Sequence, residues 1–319
     1  MCTGRRIGRL DHLWKIVLAL QVVALGAGMW AQQRPTISSR VNVVTLFATV
    51  HDADGRVVKN LTPDDFVLLE DGERQDIEFF TKETDLPLTI GLLVDTSRSQ
   101  TGVLEEERRA SYVFLDQVLR EGKDQAFVVH FDTQVETAQV PTSSRSQLEA
   151  ALSQLKIPPR DTTLIYSAIK NSSEDWMKEL PGRKAFILLT DGVAYKEPTS
   201  ITTAIEFAQR ADAIIYPIRF SHPEPFSRPV IGLILAMASE QGKQGLRRMA
   251  RETGGSYYEV TKSQSIANIY SQIEEALRNQ YRIGYTPRRA ESDGKYHKIK
   301  LTTKDRHLIV NARAGYYAN

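Results

Sequence analysis

The chain has 319 residues, of which 41% are hydrophobic and 25% are charged, and its formal net charge is only +2. This length and composition allow one large or two modest globular domains, each with its own buried core. The small net charge, together with short Lys/Arg clusters that contain no aromatic residues, gives no basis for nucleic-acid binding.

The first 31 residues predict an export signal. A basic start precedes an apolar run at residues 16–30, and Ala31 ends it. This pattern is typical of a secretory signal that is cleaved, because the run is shorter than the roughly 20 residues of a membrane-spanning helix. Met29 fits a cleavage site poorly, which leaves an uncleaved N-terminal anchor as the alternative. We therefore expect an exported protein, periplasmic or extracellular, with no membrane span after the signal. The only cysteine, Cys2, lies in the signal, so the remaining chain has no disulfide and no zinc–cysteine site.

Residues 32–85 predict an N-terminal β segment. Residues 41–50 alternate loosely between apolar and polar side chains, and the Asp-Gly pair at 71–72 is a strong hairpin signal. Asp52, Asp54 and Asp71 could supply oxygen ligands to calcium. Turn chemistry is favoured instead, because neither EF-hand spacing nor a bidentate glutamate follows them.

Residues 86–279 predict an α/β domain, because continuous apolar runs alternate there with segments of helical spacing. Such alternation predicts a doubly wound, mostly parallel sheet with helices on both faces, as in Rossmann-like folds. The apolar runs are residues 89–94, 126–131, 185–189 and 213–218, and the helical segments are residues 105–119, 146–155, 164–176, 202–210, 244–253 and 266–277.

Residues 280–319 return to β alternation. The economical architecture inserts the α/β domain between two halves of one small β domain, formed by the N- and C-terminal segments. Residues 221–244 interrupt the α/β part with three prolines and a compact apolar run. Two interpretations stay open for this insertion: a buried helix, or an exposed helix that binds a partner.

Oxygen-bearing side chains follow two of the predicted strands. Asp95, Ser97 and Ser99 come after the first apolar run, Asp191 comes after the third, and Thr163 precedes a helix. Ligands of parallel α/β sheets bind at the carboxyl ends of strands, where these residues are expected to meet. Hydroxyl and carboxylate oxygens suit a hard divalent cation, Mg²⁺ or alternatively Mn²⁺ or Ca²⁺. The sequence therefore predicts one metal site with room for an outside ligand.

The pattern Asp95-x-Ser97-x-Ser99, Thr163 and Asp191-Gly192 resembles the metal-ion-dependent adhesion site of von Willebrand factor type A (VWFA) domains. The resemblance extends over essentially the whole chain after the signal, where five flanking motifs are similar to exported VWFA-related proteins described from Acidobacteria. These motifs are residues 61–66, 70–72, 253–255, 280–287 and 313–317.

The resemblance implies a role for each site residue. Ser97 and Ser99 would bind the metal directly, and Thr163 would join them in the ligand-bound state. Asp95 and Asp191 would hold metal-bound waters or switch into direct contact. Neutral hydroxyls leave the charge of the dication largely uncompensated, so an Asp or Glu of a partner protein would complete the coordination.

One residue departs from the VWFA pattern. Asp161 precedes Thr163 in a place where related domains often carry glycine. It would either weaken the attraction for a partner's carboxylate or cap the helix that begins near Leu164.

The sequence contains no nucleophile elbow, no His-Glu-x-x-His and no phosphate-binding loop. Its histidines show no ligand spacing, and His130 lies within an apolar strand, where a core role is favoured over a general base. We therefore expect a binding module and not an enzyme. Two alternatives are a scaffold whose metal only stabilises the loops, and a metal-assisted hydrolase whose base the sequence does not reveal.

Overall fold

The structure is a computed structural model that describes residues 43–83, 85–159, 162–220, 229–288 and 294–318. The predicted signal and Asp161 lie outside these ranges. The strands are, in chain order, β1 (Val44–His51), β2 (Phe66–Glu70), β3 (Glu73–Gln75), β4 (Phe79–Glu83), β5 (Leu88–Asp95), β6 (Gln125–Phe131), β7 (Val135–Thr142), β8 (Arg183–Thr190), β9 (Ala213–Arg219), β10 (Tyr258–Glu259), β11 (Gln280–Tyr285), β12 (Tyr296–Thr303), β13 (Ile309–Ala312) and β14 (Gly315–Tyr317).

Six α-helices accompany the strands in the described residues. They are α1 (Leu104–Val118), α2 (Arg145–Gln154), α3 (Ile165–Ser172), α4 (Ile201–Arg210), α5 (Pro229–Thr253) and α6 (Ile266–Arg278). A π-helical turn at Ser173–Met177 continues α3, and short 3₁₀ turns lie at Pro63–Asp65 and Arg98–Gln100.

The central sheet has six strands in the order β10-β9-β8-β5-β6-β7. All its neighbouring pairs are parallel except β6 with β7, which is antiparallel at one edge. Strand β5 lies between β8 and β6, and all eight of its residues are buried. A strand covered on both faces needs apolar residues at every position, which explains its unbroken apolar sequence.

Helices cover both faces of this sheet. Buried residues of α1, α2 and α6 pack on one face, and those of α3, α4 and α5 pack on the other. The doubly wound α/β prediction is therefore confirmed. Within the described residues, no helix is both long enough and apolar enough to cross a bilayer.

The N- and C-terminal β segments pair with each other in two antiparallel four-stranded sheets. The orders are β13-β1-β11-β4 and β14-β12-β2-β3. Strands β1 and β4 pair with β11, and β2 pairs with β12, so each sheet combines strands from before and after the α/β part. Residues of β1, β2, β11 and β12 share one hydrophobic core. The expected pairing of the two β segments is present, whereas the exact domain boundaries stay predictions.

The predicted local turns also form. Thr62 and Asp65 make a capping box around the 3₁₀ turn at Pro63–Asp65. Asp71 and Gly72 have φ values of 48° and 90°, the left-handed conformations that a two-residue hairpin turn requires. Asp52 accepts hydrogen bonds from the backbone of Asp54 and Arg56, as expected of a turn residue.

Helix α5 differs from the prediction. It is one continuous helix of 25 residues, so the apolar run of the insertion and the predicted helix at 244–253 are parts of the same element. Leu233, Ile234, Leu235 and Met237 are exposed. The buried-helix interpretation is therefore wrong for these residues.

Candidate metal site

Three loops meet at the carboxyl edge of the central sheet and carry all five predicted site residues. Strands β5 and β8 are parallel neighbours with Val94 beside Leu189, so Asp95 and Asp191 emerge at the same edge. Thr163 joins the loop after Asp191 through two backbone hydrogen bonds with Tyr195, of 3.1 and 3.2 Å. Ser97 and Ser99 lie in the turn that follows Asp95. The structure brings the five residues to one region, and their role as ligands stays a prediction.

Asp95 is fully buried and is held by neutral donors. Its Oδ1 accepts a hydrogen bond of 2.9 Å from the backbone N–H of Ser97, and its Oδ2 accepts one of 2.5 Å from the Thr190 hydroxyl. The Thr190 oxygen in turn accepts a 3.0 Å hydrogen bond from the backbone N–H of Gly192. This network ties the ends of β5 and β8 together and fixes the orientation of the carboxylate.

The serine hydroxyls are hydrogen-bonded to each other, at a distance that also suits neighbouring metal ligands. Ser97 Oγ and Ser99 Oγ are 3.0 Å apart, and Gln100 donates to the Ser99 oxygen at 3.1 Å. Oxygens at about 2.1 Å from Mg²⁺ on adjacent octahedral positions are roughly 3 Å apart. Ser97 is buried and Ser99 is exposed, so the pair leads from the buried carboxylate to the surface.

The carboxylates of the site are buried close together, which disfavours their ionised forms in the metal-free protein. Burial and the neighbouring Asp191 carboxylate raise the pKa of Asp95 to about 7. Glu107, on the first turns of α1, is fully buried, and neither of its carboxylate oxygens has a hydrogen-bond partner among the described residues. Burial, followed by the charges of Asp95, Glu106 and Asp191, raises the pKa of Glu107. A divalent cation would balance this charge.

These observations together test whether the donor set fits the metal. The hydroxyl oxygens of Ser97 and Ser99 lie at ligand spacing in the turn after the buried Asp95. Further carboxylates lie close by. Only hard oxygen donors are involved, which suits Mg²⁺, Mn²⁺ or Ca²⁺. The residues fit such an ion.

Glu107 was not among the predicted residues, although the sequence carries a signal for it. The buried positions of α1 are Leu104, Glu107, Ser111, Phe114, Leu115 and Val118. This is helical spacing, so a glutamate on the apolar face could have been noticed. Its proximity to Asp191 depends on the tertiary structure and could not have been noticed in the sequence.

Glu197 positions two of the loops and was also missed. Its Oε2 accepts hydrogen bonds from the backbone N–H groups of Tyr166 and Ser167, at 2.8 and 3.3 Å, and its Oε1 accepts one from the Ser167 hydroxyl at 2.6 Å. A carboxylate at a helix N-terminus satisfies free N–H groups and interacts favourably with the helix dipole. The loop after Asp191 thus supplies a capping carboxylate to α3.

Thr96 links the site to the end of β6. Its hydroxyl donates to Asp132 Oδ2 at 2.7 Å and lies 3.3 Å from His130 Nδ1. His130 Nε2 is 3.5 Å from a Glu136 oxygen. The imidazole is partly buried and faces acidic side chains on both nitrogens, which agrees with a structural role for His130.

Helix α5 packs against the Asp191 turn through two glycines. Gly192 has a φ of 86°, a conformation that favours glycine. A Cβ on Gly242 would lie only 2.4 Å from the Gly192 carbonyl oxygen. The close backbone contact requires glycine at both positions, and it holds α5 beside the metal face.

Replacing Gly242 by alanine is expected to lower the free energy of unfolding by about 1–3 kcal/mol, because the new methyl group must push α5 away from the Asp191 turn. Urea-induced unfolding measures the change. Gly245→Ala is the matched control, since its Cβ would meet Ile201 Cδ1, the end of a flexible side chain, at 3.3 Å. The control should be neutral or stabilising, as expected for Gly→Ala in a helix. Equal effects of the two substitutions would contradict the packing argument.

The exposed apolar residues of α5 stand beyond this contact. Helix α5 follows β9 and leads back along the sheet, so its first turns lie on the carboxyl side of Gly242. Leu235 precedes Gly242 by seven positions in the helix, which is roughly 10 Å along the helix axis. We define Leu233, Ile234, Leu235 and Met237 as the apolar ridge. Arg219 donates to both the Asp191 carbonyl oxygen and the Ser239 hydroxyl of α5, so the part of α5 just after the ridge lies beside the Asp191 turn.

Comparisons with known proteins support the fold. No family model matches the chain, and no curated protein matches it. Among solved structures, proximal thread matrix protein 1 from the mussel byssus, with a zinc-occupied MIDAS motif, aligns with a TM-score of 0.51 and 14% identity. The alignment covers 65% of this chain and 49% of the mussel chain, so it spans about half of that protein.

Two bacterial structures align over similar parts of the chain. BatB from Bacteroides thetaiotaomicron has a TM-score of 0.46 and 16% identity, over 61% of this chain and 100% of BatB. The vWF domain of the type V pili tip protein Mfa5 from Porphyromonas gingivalis has a TM-score of 0.48 and 12% identity, over 61% of this chain and 96% of that domain. Neither TM-score reaches 0.5, and the fold argument therefore rests on the mussel protein.

The α/β part of the chain thus has a von Willebrand factor A-type fold, with antiparallel β sheets added by its flanking segments. At this level of identity the likeness concerns the fold alone.

Proposed function

We propose that this protein is an exported, metal-dependent protein-binding module of the adhesion type. Asp95, Ser97, Ser99, Thr163 and Asp191 would hold a divalent cation, Mg²⁺ or alternatively Mn²⁺ or Ca²⁺. When bound, the cation would supply an open coordination position for the carboxylate of an Asp or Glu on a partner protein.

The observation that carries the proposal is the pair of serine hydroxyls, 3.0 Å apart above the buried Asp95. These neutral donors would bind the cation without cancelling its charge, and the carboxylates of Asp95 and Asp191 would stabilise it. Ser99 is exposed, so the surface is accessible to another protein. Arg98, exposed between the two serines, would attract an acidic partner before contact.

The apolar ridge extends the same surface. Leu233 is 63% exposed and Ile234 is 61% exposed, although both are large aliphatic residues. Exposed apolar patches with polar surroundings are frequent at protein-binding sites. The ridge would contact apolar residues that flank the partner's acidic residue. Burial of these apolar surfaces would add to the affinity that the single metal contact provides.

Export is inferred from the signal predicted at residues 1–31 and would place the protein in the periplasm or outside the cell. The proposed function is compatible with these compartments, where adhesion-type contacts between proteins are made.

A pull-down from the native cell extract tests the proposal. Immobilised wild-type protein is expected to capture a partner in Mg²⁺ and to release it when a chelator is added. The double variant Ser97→Ala/Ser99→Ala should capture nothing in either condition. Thr101→Ala is the matched control: its hydroxyl lies in the same turn but donates to the Arg98 carbonyl oxygen at 2.7 Å, and capture should be retained.

A second pair of variants separates the ridge from the metal. Leu233→Ser/Ile234→Ser should weaken capture at least about tenfold, as for truncation of interface anchors, and should leave metal affinity unchanged. Capture that survives both the chelator and the double serine variant would contradict the proposal and favour the scaffold alternative. Chelator-sensitive turnover of ester or phosphoester substrates, lost in Asp191→Ala, would favour the hydrolase alternative.

A further inference from the structure

Outside the VWFA-type site, three side chains of the β sheets have the arrangement of metal ligands. Glu70 ends β2, Asp71 begins the hairpin turn that follows, and His297 lies on β12, which pairs with β2. The ligand atoms of these three residues all lie within 4.8 Å of one another. His297 Nδ1 is 2.9 Å from Asp71 Oδ2 and 3.6 Å from Glu70 Oε1. One imidazole nitrogen therefore faces two carboxylates.

The Glu70 carboxylate is the independent sign that a ligand is expected there. The residue is only 6% exposed. Its Oε1 accepts a 2.8 Å hydrogen bond from the Tyr316 hydroxyl, whereas its Oε2 is buried and has no hydrogen-bond partner among the described residues. A buried carboxylate oxygen without a partner is costly. A cation bound beside His297, whose Nδ1 faces Oε1, would coordinate this carboxylate and compensate its buried charge.

The surroundings of Glu70 are phenols rather than cations. Burial, together with the charge of Glu70, raises the pKa of both Tyr285 and Tyr316. Arg313 lies over the Tyr316 ring, but its guanidinium pairs with Asp212 and donates to the Thr45 carbonyl oxygen. The negative charge of Glu70 is therefore available to a metal ion.

We propose that Glu70, Asp71 and His297 form a second metal site, which takes Zn²⁺ in preference to Mg²⁺. A set of one imidazole nitrogen and two carboxylate oxygens suits zinc, whereas magnesium prefers oxygen alone. Because a carboxylate only accepts hydrogen bonds, Nδ1 of His297 carries the proton in the metal-free protein. Zinc takes the place of this proton, which is released to solvent, and His297 binds it as neutral imidazole.

The site also has the access and support that a metal needs. The Asp71 side chain is 52% exposed, which leaves an open side for the ion and for water as a fourth ligand. The backbone N–H of Lys298 donates to Asp71 Oδ1 at 2.8 Å and fixes the carboxylate against β12. Zinc would clamp the N-terminal hairpin to the C-terminal strand, two parts of the chain that are 226 residues apart.

Isothermal titration with ZnCl₂ tests the site in the full chain that carries Ser97→Ala/Ser99→Ala, so that the VWFA-type site does not contribute. One equivalent of Zn²⁺ is expected to bind, with proton release and a rise in melting temperature. Mg²⁺ at the same concentration should give neither effect. Adding His297→Gln should lower the zinc affinity at least about tenfold. His307→Gln is the matched control, because His307 is an exposed histidine of the same β region. This variant should bind zinc with the affinity of the parent.

Asp71→Asn provides a second test that does not disturb the fold, because asparagine tolerates the positive φ of this turn position. It too should weaken zinc binding at least about tenfold. The proposal is overturned if the parent binds no Zn²⁺, or if Asp71→Asn and His297→Gln bind it as the parent does. These outcomes leave the proposed adhesion-type function untouched, since they concern another metal and other residues.

Discussion

Ser97→Ala/Ser99→Ala is expected to lower the affinity of the wild-type chain for Mg²⁺ or Mn²⁺ by at least about a hundredfold. Loss of a supporting hydrogen bond alone costs about 10–100-fold at metal sites, and here two predicted ligands are removed. The effect should appear in isothermal titration at neutral pH. The fold should remain, because the serine hydroxyls contact each other and Gln100 and not the hydrophobic core.

The control for this prediction is Thr101→Ala, which removes a hydroxyl from the same turn without touching the serines. It should bind the metal as the wild type does. If the double serine variant retained wild-type affinity, the ligand assignment of Ser97 and Ser99 would be wrong. If instead it lost both metal binding and thermal stability to the level of the chelated wild type, the metal would have a stabilising role.

Chelated, metal-free protein is expected to lose stability as the pH rises from 5 to 7. The pKa of Asp95 is raised from 3.8 to about 7, mainly by burial and then by Asp191. Over this range the folded state keeps a proton that the unfolded state has lost, so the free energy of unfolding decreases with pH. Glu107, whose pKa is also raised, contributes in the same direction. The total effect should be on the order of a few kcal/mol.

Urea-induced unfolding at several pH values measures this dependence, with and without Mg²⁺. Saturating Mg²⁺ should abolish the loss of stability, because the cation stabilises the ionised carboxylates. Asp95→Asn should reduce the pH dependence of the chelated protein, since it removes the charge and keeps an acceptor for the Ser97 amide. Stability of the chelated wild type that increases between pH 5 and 7 would contradict the electrostatic account of the site.

Much of the fold could be predicted from the sequence, because apolar strands and amphipathic helices have clear periodicities. The buried run of β5 and the helical spacing of α1 are examples. Strand β7 was missed, since an edge strand without a buried residue shows no such pattern. Helix α5 was divided in two, because the apolar run at residues 233–237 is exposed and does not show the one-sided pattern of a helix packed on a sheet.

The candidate metal site was predictable where its residues follow strands in short motifs. Asp95, Ser97 and Ser99 are close in sequence, and the strand order then places Asp191 beside them. Glu197 could not be predicted, because its hydrogen bonds to Tyr166 and Ser167 join loops about thirty residues apart.

The cluster of Glu70, Asp71 and His297 could not be predicted for the same reason. Asp71 was interpreted as a turn residue, which its positive φ supports, and His297 was set aside for lack of ligand spacing. Only the pairing of β2 with β12 brings the two side chains to 2.9 Å. Contacts between distant segments of a sheet depend on the register in which the strands pair, and this register could not be determined from the sequence alone.

The most direct test of the VWFA-type site is anomalous diffraction from crystals of the wild-type protein soaked in Mn²⁺. We expect a peak bonded to both Ser97 Oγ and Ser99 Oγ, with Asp95, Thr163 and Asp191 around it, and no such peak in crystals of Ser97→Ala/Ser99→Ala. Wild-type crystals without a peak within bonding distance of either serine would contradict this expectation.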